Sequence, residues 1–242
     1  MLEPDIYQIL ITSNKKIPSL PPYTKKCTQS IKDVYPNSTV RFLNGEAIET
    51  IIEENFSEKV LSAYHKFIPY AYKCDLARLC VLYLYGGMYV DLDTKLMERI
   101  PFLHQTDFFA FRDVTTMSRR SWSVANSIIY ARKGCEILKR AIDIIVENCH
   151  NEYYGISPIC PSGPIVLGRA ICEFEDLHSR VSTEGELIPL TPSHDKRNLA
   201  YVLDDGTIIA LRKPHRGGEM MIDNTNNYYL MWNKRKVYEL YK

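Results

Sequence analysis

Cys74–Asp93 reads CDLARLCVLYLYGGMYVDLD, and the rest of the chain can be organised around it. Behind Pro69, the stretch Tyr70–Tyr85 has a helical pattern. Leu76, Leu79, Cys80, Val81, Leu82 and Leu84 leave its later turns apolar almost all round, which predicts a buried helix. Gly86-Gly87 stops that helix and turns the chain sharply. Met88–Leu92 then reads as a strand. Asp75 and Arg78 stand at i and i+3 and share one helix face. Buried there they need partners, because an unpaired polar or charged group costs roughly several kcal/mol. Asp91 and Asp93 stand at i and i+2, so a strand would present both carboxylates on one face. They fall at the carboxyl end of that strand, where open α/β sheets bind ligands. Two hard oxygen donors suit Mg²⁺ or Mn²⁺ shared with substrate phosphates.

Upstream, Tyr7–Thr12 is β-prone, Cys27–Tyr35 is helical, and Thr39–Leu43 is a second strand. Asn44 caps a helix through Ile51 and Ser57 another through Phe67. Strand and helix alternate, which suggests an α/β parallel sheet. Downstream, Phe108–Phe111 and Ser127–Tyr130 are short strands. Cys135–Cys149 is an amphipathic helix, with Leu138, Ala141, Ile142, Ile145 and Cys149 on one face. Ser162-Gly163-Pro164 opens a helix through Cys172, where free N–H groups can hold an anion or a sugar hydroxyl. An ordinary helix cap explains the same residues. Ala200–Leu211 is a hairpin turning at Asp204-Asp205-Gly206, which accounts for those carboxylates without a metal. No repeat or linker divides the chain, so 1–242 reads as one domain.

The 242 residues carry 30 Lys and Arg against 29 Asp and Glu, a formal net charge of +1. That balance argues against a sequence-independent nucleic-acid binder. Apolar residues at 45% fit a globular chain and exclude disorder. The seven Cys are odd in number and lack a C-x-x-C pair, so they read as small hydrophobes in a reducing compartment. No leader is evident at Met1–Ile6, and no stretch reaches the roughly 20 apolar residues of a spanning helix. The expected location is the cytoplasm, with peripheral contact at the inner face of the membrane left open. Tyr is abundant, 17 against 8 Phe and 2 Trp. Tyr83, Tyr85 and Tyr89 are expected beside the site, and Tyr228 and Tyr229 over it.

Asp75-x-x-Arg78 followed by Leu82-Tyr-Leu-Tyr-Gly86-Gly87-Met-Tyr89-Val-Asp91-Leu-Asp93 resembles the signature of DXD-containing glycosyltransferases, and within them glycosyltransferase family 32. That family includes bacterial capsule and lipopolysaccharide enzymes, and the clostridial glucosylating toxins carry a related signature. Ser123–Ile129 resembles the family's Asn-Ser segment, and Ser162-Gly163-Pro164 its Thr-Gly-Pro segment. The resemblance implies a GT-A, Rossmann-like fold with a mixed central sheet. Residues 1–93 would form the nucleotide-sugar half, and 94–242 the acceptor side with a C-terminal lid. It implies Mn²⁺ or Mg²⁺ and a nucleotide-sugar donor, UDP-sugar favoured over GDP-sugar. The acceptor would be a glycan or lipid-linked oligosaccharide, and transfer would retain anomeric configuration. Asp91 and Asp93 would hold the metal–diphosphate and ribose, and Asp75 and Arg78 the donor sugar. Thr12, Tyr89, Asn126, Gly163 and Trp232 would line the donor pocket, Trp232 by stacking on the nucleotide or by packing the tail.

The C-terminus departs from the pattern. Asn226-Asn227 stands where many members carry histidines, so Asn227 is the expected third metal ligand, with Asn226 and His215 as alternatives. An amide oxygen suits Mg²⁺ or Mn²⁺. Lys234 and Arg235 could add positive charge from the tail, and Arg119-Arg120-Ser-Trp122 reads as an acceptor-side loop or a solvated one. Asp91-x-Asp93-Thr94 also fits the nucleophile strand of haloacid-dehalogenase-like phosphatases. That motif normally lies near the N-terminus, and it leaves Asp75, Arg78 and Gly86-Gly87 unexplained. A non-catalytic sugar-nucleotide-binding module is the other alternative.

Overall fold

The structure, a computed structural model, describes residues 3–13, 18–101, 103–113, 122–174, 181–190, 199–212 and 226–239. In chain order the elements are β1 (Ile6–Leu10), α1 (Pro22–Val34), β2 (Val40–Asn44), α2 (Gly45–Asn55), α3 (Glu58–Lys66), α4 (Tyr70–Tyr85), β3 (Gly87–Val90) and β4 (Thr94–Leu96). Then come β5 (Phe108–Arg112), β6 (Val124–Ala131), α5 (Glu136–His150), α6 (Pro164–Cys172), β7 (Val181–Ser182), β8 (Glu186–Pro189), β9 (Leu199–Val202), β10 (Ile208–Arg212) and α7 (Tyr228–Asn233). The expected helices and hairpin are present, with ends shifted by a few residues. The short strands β4, β7 and β8 were not anticipated.

The strands form one sheet in the order β2-β1-β3-β6-β5-β8-β9-β10-β4, with β7 beside β5. β1 is parallel to β2 and to β3. β6 runs antiparallel to β3 and β5, and β9 antiparallel to β8 and β10. The sheet is therefore mixed: parallel pairing joins β2, β1 and β3 and recurs where β5 meets β7 and β8, and the all-parallel reading does not hold for the rest. Parallel neighbours need a crossover of a dozen or more residues. Helix α1 supplies it between β1 and β2, and α2–α4 supply it between β2 and β3.

One connection sets the shape of the sheet. β3 and β4 are three residues apart in the chain, yet six places apart in the strand order. Six strand spacings are about 29 Å if flat, whereas the three linking residues reach only about 14 Å. The sheet must curl until its β10–β4 end returns beside β3. The linking residues are Asp91, Leu92 and Asp93.

Both sheet faces are covered. Tyr7 and Ile9 of β1 and Phe108 and Ala110 of β5 point toward Leu76, Leu138 and Ile142 of α4 and α5. Ile6, Phe109 and Phe111 point the other way, with Ile31 of α1 and Tyr201 of β9. This is the two-residue alternation of a strand. Helix α4 is buried over its central turns and ends at Gly86 (φ 71°) and Gly87 (φ 102°). A Cβ on Gly87 would lie 2.4 Å from the Asp5 carbonyl oxygen.

Burial raises the Cys27 thiol to about 11 and the Cys74 and Cys149 thiols to about 12. No cysteine forms a disulfide, and Cys172 alone is exposed. Gly87→Ala is expected to lower stability by at least about 2 kcal/mol, from φ strain plus the clash with a backbone that cannot yield. A urea-denaturation midpoint equal to wild type would refute this. Iodoacetamide at pH 8 should modify Cys172 first, giving one fast adduct by mass spectrometry. The raised thiols should react only as the protein unfolds.

Candidate functional site

The Asp91–Asp93 segment is a turn and not a continuation of β3. Asp91 N–H donates to the Ser127 carbonyl at 2.8 Å, the last tie to β6, and Thr94 N–H donates to the Asp91 carbonyl at 3.1 Å. The expected strand geometry of the pair is thus corrected, because ladder pairing ends at Val90. The carboxylates come together through this turn and through the cations around them. Asp93 is buried at 7% exposure, while the Asp91 side chain is 19% exposed.

Arg78 organises the inner half of the site. Its side chain is 6% exposed. Nη1 donates to Asp91 Oδ1 at 3.0 Å and to the Asn126 carbonyl at 2.6 Å, and Nε to the Cys74 carbonyl at 3.2 Å. Nη2 lies 3.2 Å from Asp75 Oδ1. The guanidinium also stacks on the Tyr89 ring at 4.4 Å, and the Tyr89 hydroxyl donates to Asp91 Oδ1 at 2.7 Å. Burial alone would favour discharge of Arg78. Tyr89, Asp91 and Asp75 outweigh it, so its pKa is raised and the charge is secure.

Asp75 is held from two further directions. Asn126 Nδ2 donates to Oδ1 and Ser162 Oγ to Oδ2, both at 2.8 Å. Burial still raises its pKa, against the lowering by Arg78 and Ser162. Gly163, the N-cap of α6, sits against the same carboxylate: a Cβ there would lie 3.5 Å from Asp75 Oδ2. Asp75, Arg78, Tyr89, Asp91, Asn126 and Gly163 are therefore one connected cluster. Thr12 lies two residues past the carboxyl end of β1. The preceding Ile11 backbone bonds Cys74 at the start of that cluster.

Arg212, at the end of β10, is the site residue that sequence reasoning missed. It pairs in register with Thr94 of β4, and its Nε donates to Asp93 Oδ2 at 3.0 Å. Its Nη2 lies 3.8 Å from Asp91 Oδ2. Behind it the buried Ser127 and Tyr201 hydroxyls bond each other. The one available signal was a cation ending the predicted hairpin. Its partner β4 has only three residues and no readable period. Three carboxylates, Asp75, Asp91 and Asp93, face two guanidiniums, so the cluster has a formal excess of one acidic group.

The tail divides. Tyr228, at the start of α7, is exposed at 37%. Its ring also meets Tyr72 at 6.0 Å. Trp232 donates Nε1–H to the Tyr154 carbonyl at 2.8 Å and packs on the core, so in this structure it anchors the tail. Asn226 bridges Tyr70 N–H and the Ile68 carbonyl, and Asn227 caps α7 at Leu230 N–H. Arg235 stacks on Tyr154 and Trp232. Tyr83 and Tyr85 are not at the site. They end α4, whereas Asp75 lies ten residues and about 15 Å earlier along it. Tyr85 stacks on Tyr7 at the opposite end of the strands. His215, Arg119 and Arg120 lie outside the described residues.

Asp91 and Asp93 are the carboxylates placed to share an ion, and among the described residues no group of three or more His, Cys, Asp or Glu could hold a metal ion. That donor set fits a hard divalent ion completed by phosphate oxygens and water. It does not fit zinc, which takes a closed N/S set.

Residues 21–110 match the family described as glycosyltransferase sugar-binding region containing DXD motif. An uncharacterized glycosyltransferase, L373, of Acanthamoeba polyphaga mimivirus is 35% identical over 89 residues, 36% of this chain and 34% of that protein. The match thus spans about a third of that relative's length. Among solved structures, the PaToxG glycosyltransferase superposes with a TM-score of 0.53 at 18% identity, covering 71% of this chain and 69% of that one. The UDP-bound glycosyltransferase domain of the YGT toxin superposes with a TM-score of 0.52 at 9% identity, covering 74% and 79%. The fold is the single-domain GT-A arrangement. Among the described residues no helix is long and apolar enough to cross a membrane.

Arg78→Met would strand two carboxylates in a buried setting, and a loss of about 3–5 kcal/mol is expected. Arg78→Lys should recover little, because one ammonium cannot reproduce the fork over Asp75, Asp91 and the Asn126 carbonyl. Urea unfolding of both variants checks this, and a wild-type midpoint for Arg78→Met would contradict it.

Proposed function

We propose that the chain is a metal-dependent, retaining hexosyltransferase that moves a sugar from a nucleotide-sugar to a glycan acceptor. The observation that carries this reading is the cluster of Asp75, Arg78 and Asp91 closed over the Asp91–Asp93 turn. The match of residues 21–110 and the GT-A fold support it. A uridine donor is supported by the UDP held in the YGT toxin domain. Glycan acceptors and bacterial surface polysaccharide synthesis follow from the family resemblance.

In this reading Asp91 and Asp93 hold Mn²⁺ or Mg²⁺. Asn227, whose amide oxygen accepts only from Leu230 N–H among the described residues, would offer its second lone pair as the third protein ligand. The bound ion supplies Lewis-acid stabilisation of charge on the departing diphosphate. Asp75 has both oxygens engaged, which suits it to accept from a donor-sugar hydroxyl in fixed geometry and not to attack carbon. Arg78 keeps Asp75 and Asp91 aimed, a preorganised field that needs no rearrangement during reaction. The anomeric carbon–phosphate oxygen bond breaks as the acceptor oxygen bonds the same face, and the acceptor proton passes to the leaving phosphate oxygen.

The phosphatase alternative would make Asp93 the acid/base, yet Asp93 Oδ2 accepts from Arg212 Nε at 3.0 Å, and that alternative gives no role to the Asp75–Arg78–Asn126 arrangement.

Incubating the full chain with a panel of UDP- and GDP-sugars and Mn²⁺ should release nucleotide from at least one donor. Asp93→Asn should lower that rate at least about a hundredfold, and removal of the metal with EDTA should abolish it. If no donor is bound or hydrolysed, the proposal fails. If Asp93→Asn matches wild type, the assignment of this site fails.

A further inference from the structure

The two arginines of the site are built differently. Arg78 is sealed in at 6% exposure, with four polar acceptors and a ring beneath it. Arg212 is 28% exposed, and its ionic contacts among the described residues are Asp93 Oδ2 at 3.0 Å and Asp91 Oδ2 at 3.8 Å. Arg78 and Tyr89 both hold Asp91 Oδ1, so Oδ2 is the Asp91 oxygen that faces outward. Arg212 therefore spans the outer oxygens of both carboxylates, the atoms that a divalent ion shared by Asp91 and Asp93 would take. A guanidinium and a dication a few ångströms apart repel strongly in a partly buried site, so the two cannot hold these oxygens together.

We propose that Arg212 is the resident counter-cation of the Asp91–Asp93 pair, which a divalent ion displaces and which then turns to the diphosphate of the incoming donor. This rests on the metal-dependent reading above. Before ligands arrive, Arg212 limits the repulsion between the two carboxylates. When the ion takes the carboxylate oxygens, the freed guanidinium keeps its place at the end of β10, beside the Thr94 register pair. From there its planar fork suits phosphate oxygens. The charge balance favours a coupled exchange. The dication alone would leave Arg212 as an unpaired cation, and the diphosphate alone would meet the unneutralised excess of the acidic cluster. Each ligand removes the obstacle to the other, so metal and nucleoside diphosphate bind cooperatively.

The test is Mn²⁺ binding to the full chain, followed by electron paramagnetic resonance of the free ion, with and without UDP. Arg212→Met removes the charge and keeps the length, and Arg212→Gln serves the same purpose if the first variant does not fold. Without UDP, the variant should bind Mn²⁺ roughly tenfold tighter than wild type, because the competitor is gone. UDP should tighten Mn²⁺ binding strongly in wild type and much less in the variant. If the variant binds Mn²⁺ no tighter than wild type, Arg212 is not the competitor and the proposal is overturned, while the metal-dependent reading stands. If neither protein binds Mn²⁺ with or without UDP, the metal-dependent reading falls and takes this one with it.

Discussion

The structure of the site depends on one buried guanidinium. Arg78 joins the first turns of α4 to the Asp91 turn and, through the Asn126 carbonyl, to β6. Without it, Asp75 and Asp91 would be carboxylates of like charge facing each other in a setting that penalises both. With it they become a fixed acceptor array, and Asn126 and Ser162 hold the geometry from outside. A buried ion pair adds little net stability over a well-packed apolar cluster. Its value here is directional, since it decides where two carboxylates point.

The second constraint is topological. A sheet whose third and ninth places are joined by three residues has to curl, and the joining residues sit where its ends meet. That is how a cation from β10, more than a hundred residues downstream, comes to lie on Asp93. The site belongs as much to the closure of the sheet as to the motif.

Much of this was legible in the residues. The span of α4, the Gly-Gly stop and the i, i+3 pairing of Asp75 with Arg78 follow from periodicity and burial, which act locally. The mixed sheet followed from the resemblance, and the residues it singled out, Asp75, Arg78, Tyr89, Asp91, Asn126 and Gly163, lie together. The parts that sequence reasoning misplaced have a common cause. A two-residue spacing predicts a shared strand face only while the ladder continues, and here it stops at Val90. Tyr83 and Tyr85 are near Asp91 in sequence and distant in space, because α4 carries them to its other end. Ser162 could read as a helix cap or as part of a helix start open to an anion or a sugar hydroxyl, and its hydroxyl donates to Asp75. Arg212 had no local signature, since its role is set by a three-residue partner strand and by sheet curvature.

The dispersal of the cluster also bears on how the molecule is assembled. Residues 21–110 contain the whole recognisable signature, yet Asn126, Ser162 and Arg212 lie beyond them. Asp75 and Ser162 are 87 residues apart, and Asp93 and Arg212 are 119 apart. Contacts of such long separation form only after large loops have closed, so they belong to late folding. A nascent or proteolysed fragment ending near residue 110 would carry the motif and the Arg78 contacts to Asp75 and Asp91, but would lack Asn126 and Ser162 on Asp75 and Arg212 on Asp93. The sequence signature marks one wall of this site, and the chain completes the enclosure only when its last strand returns.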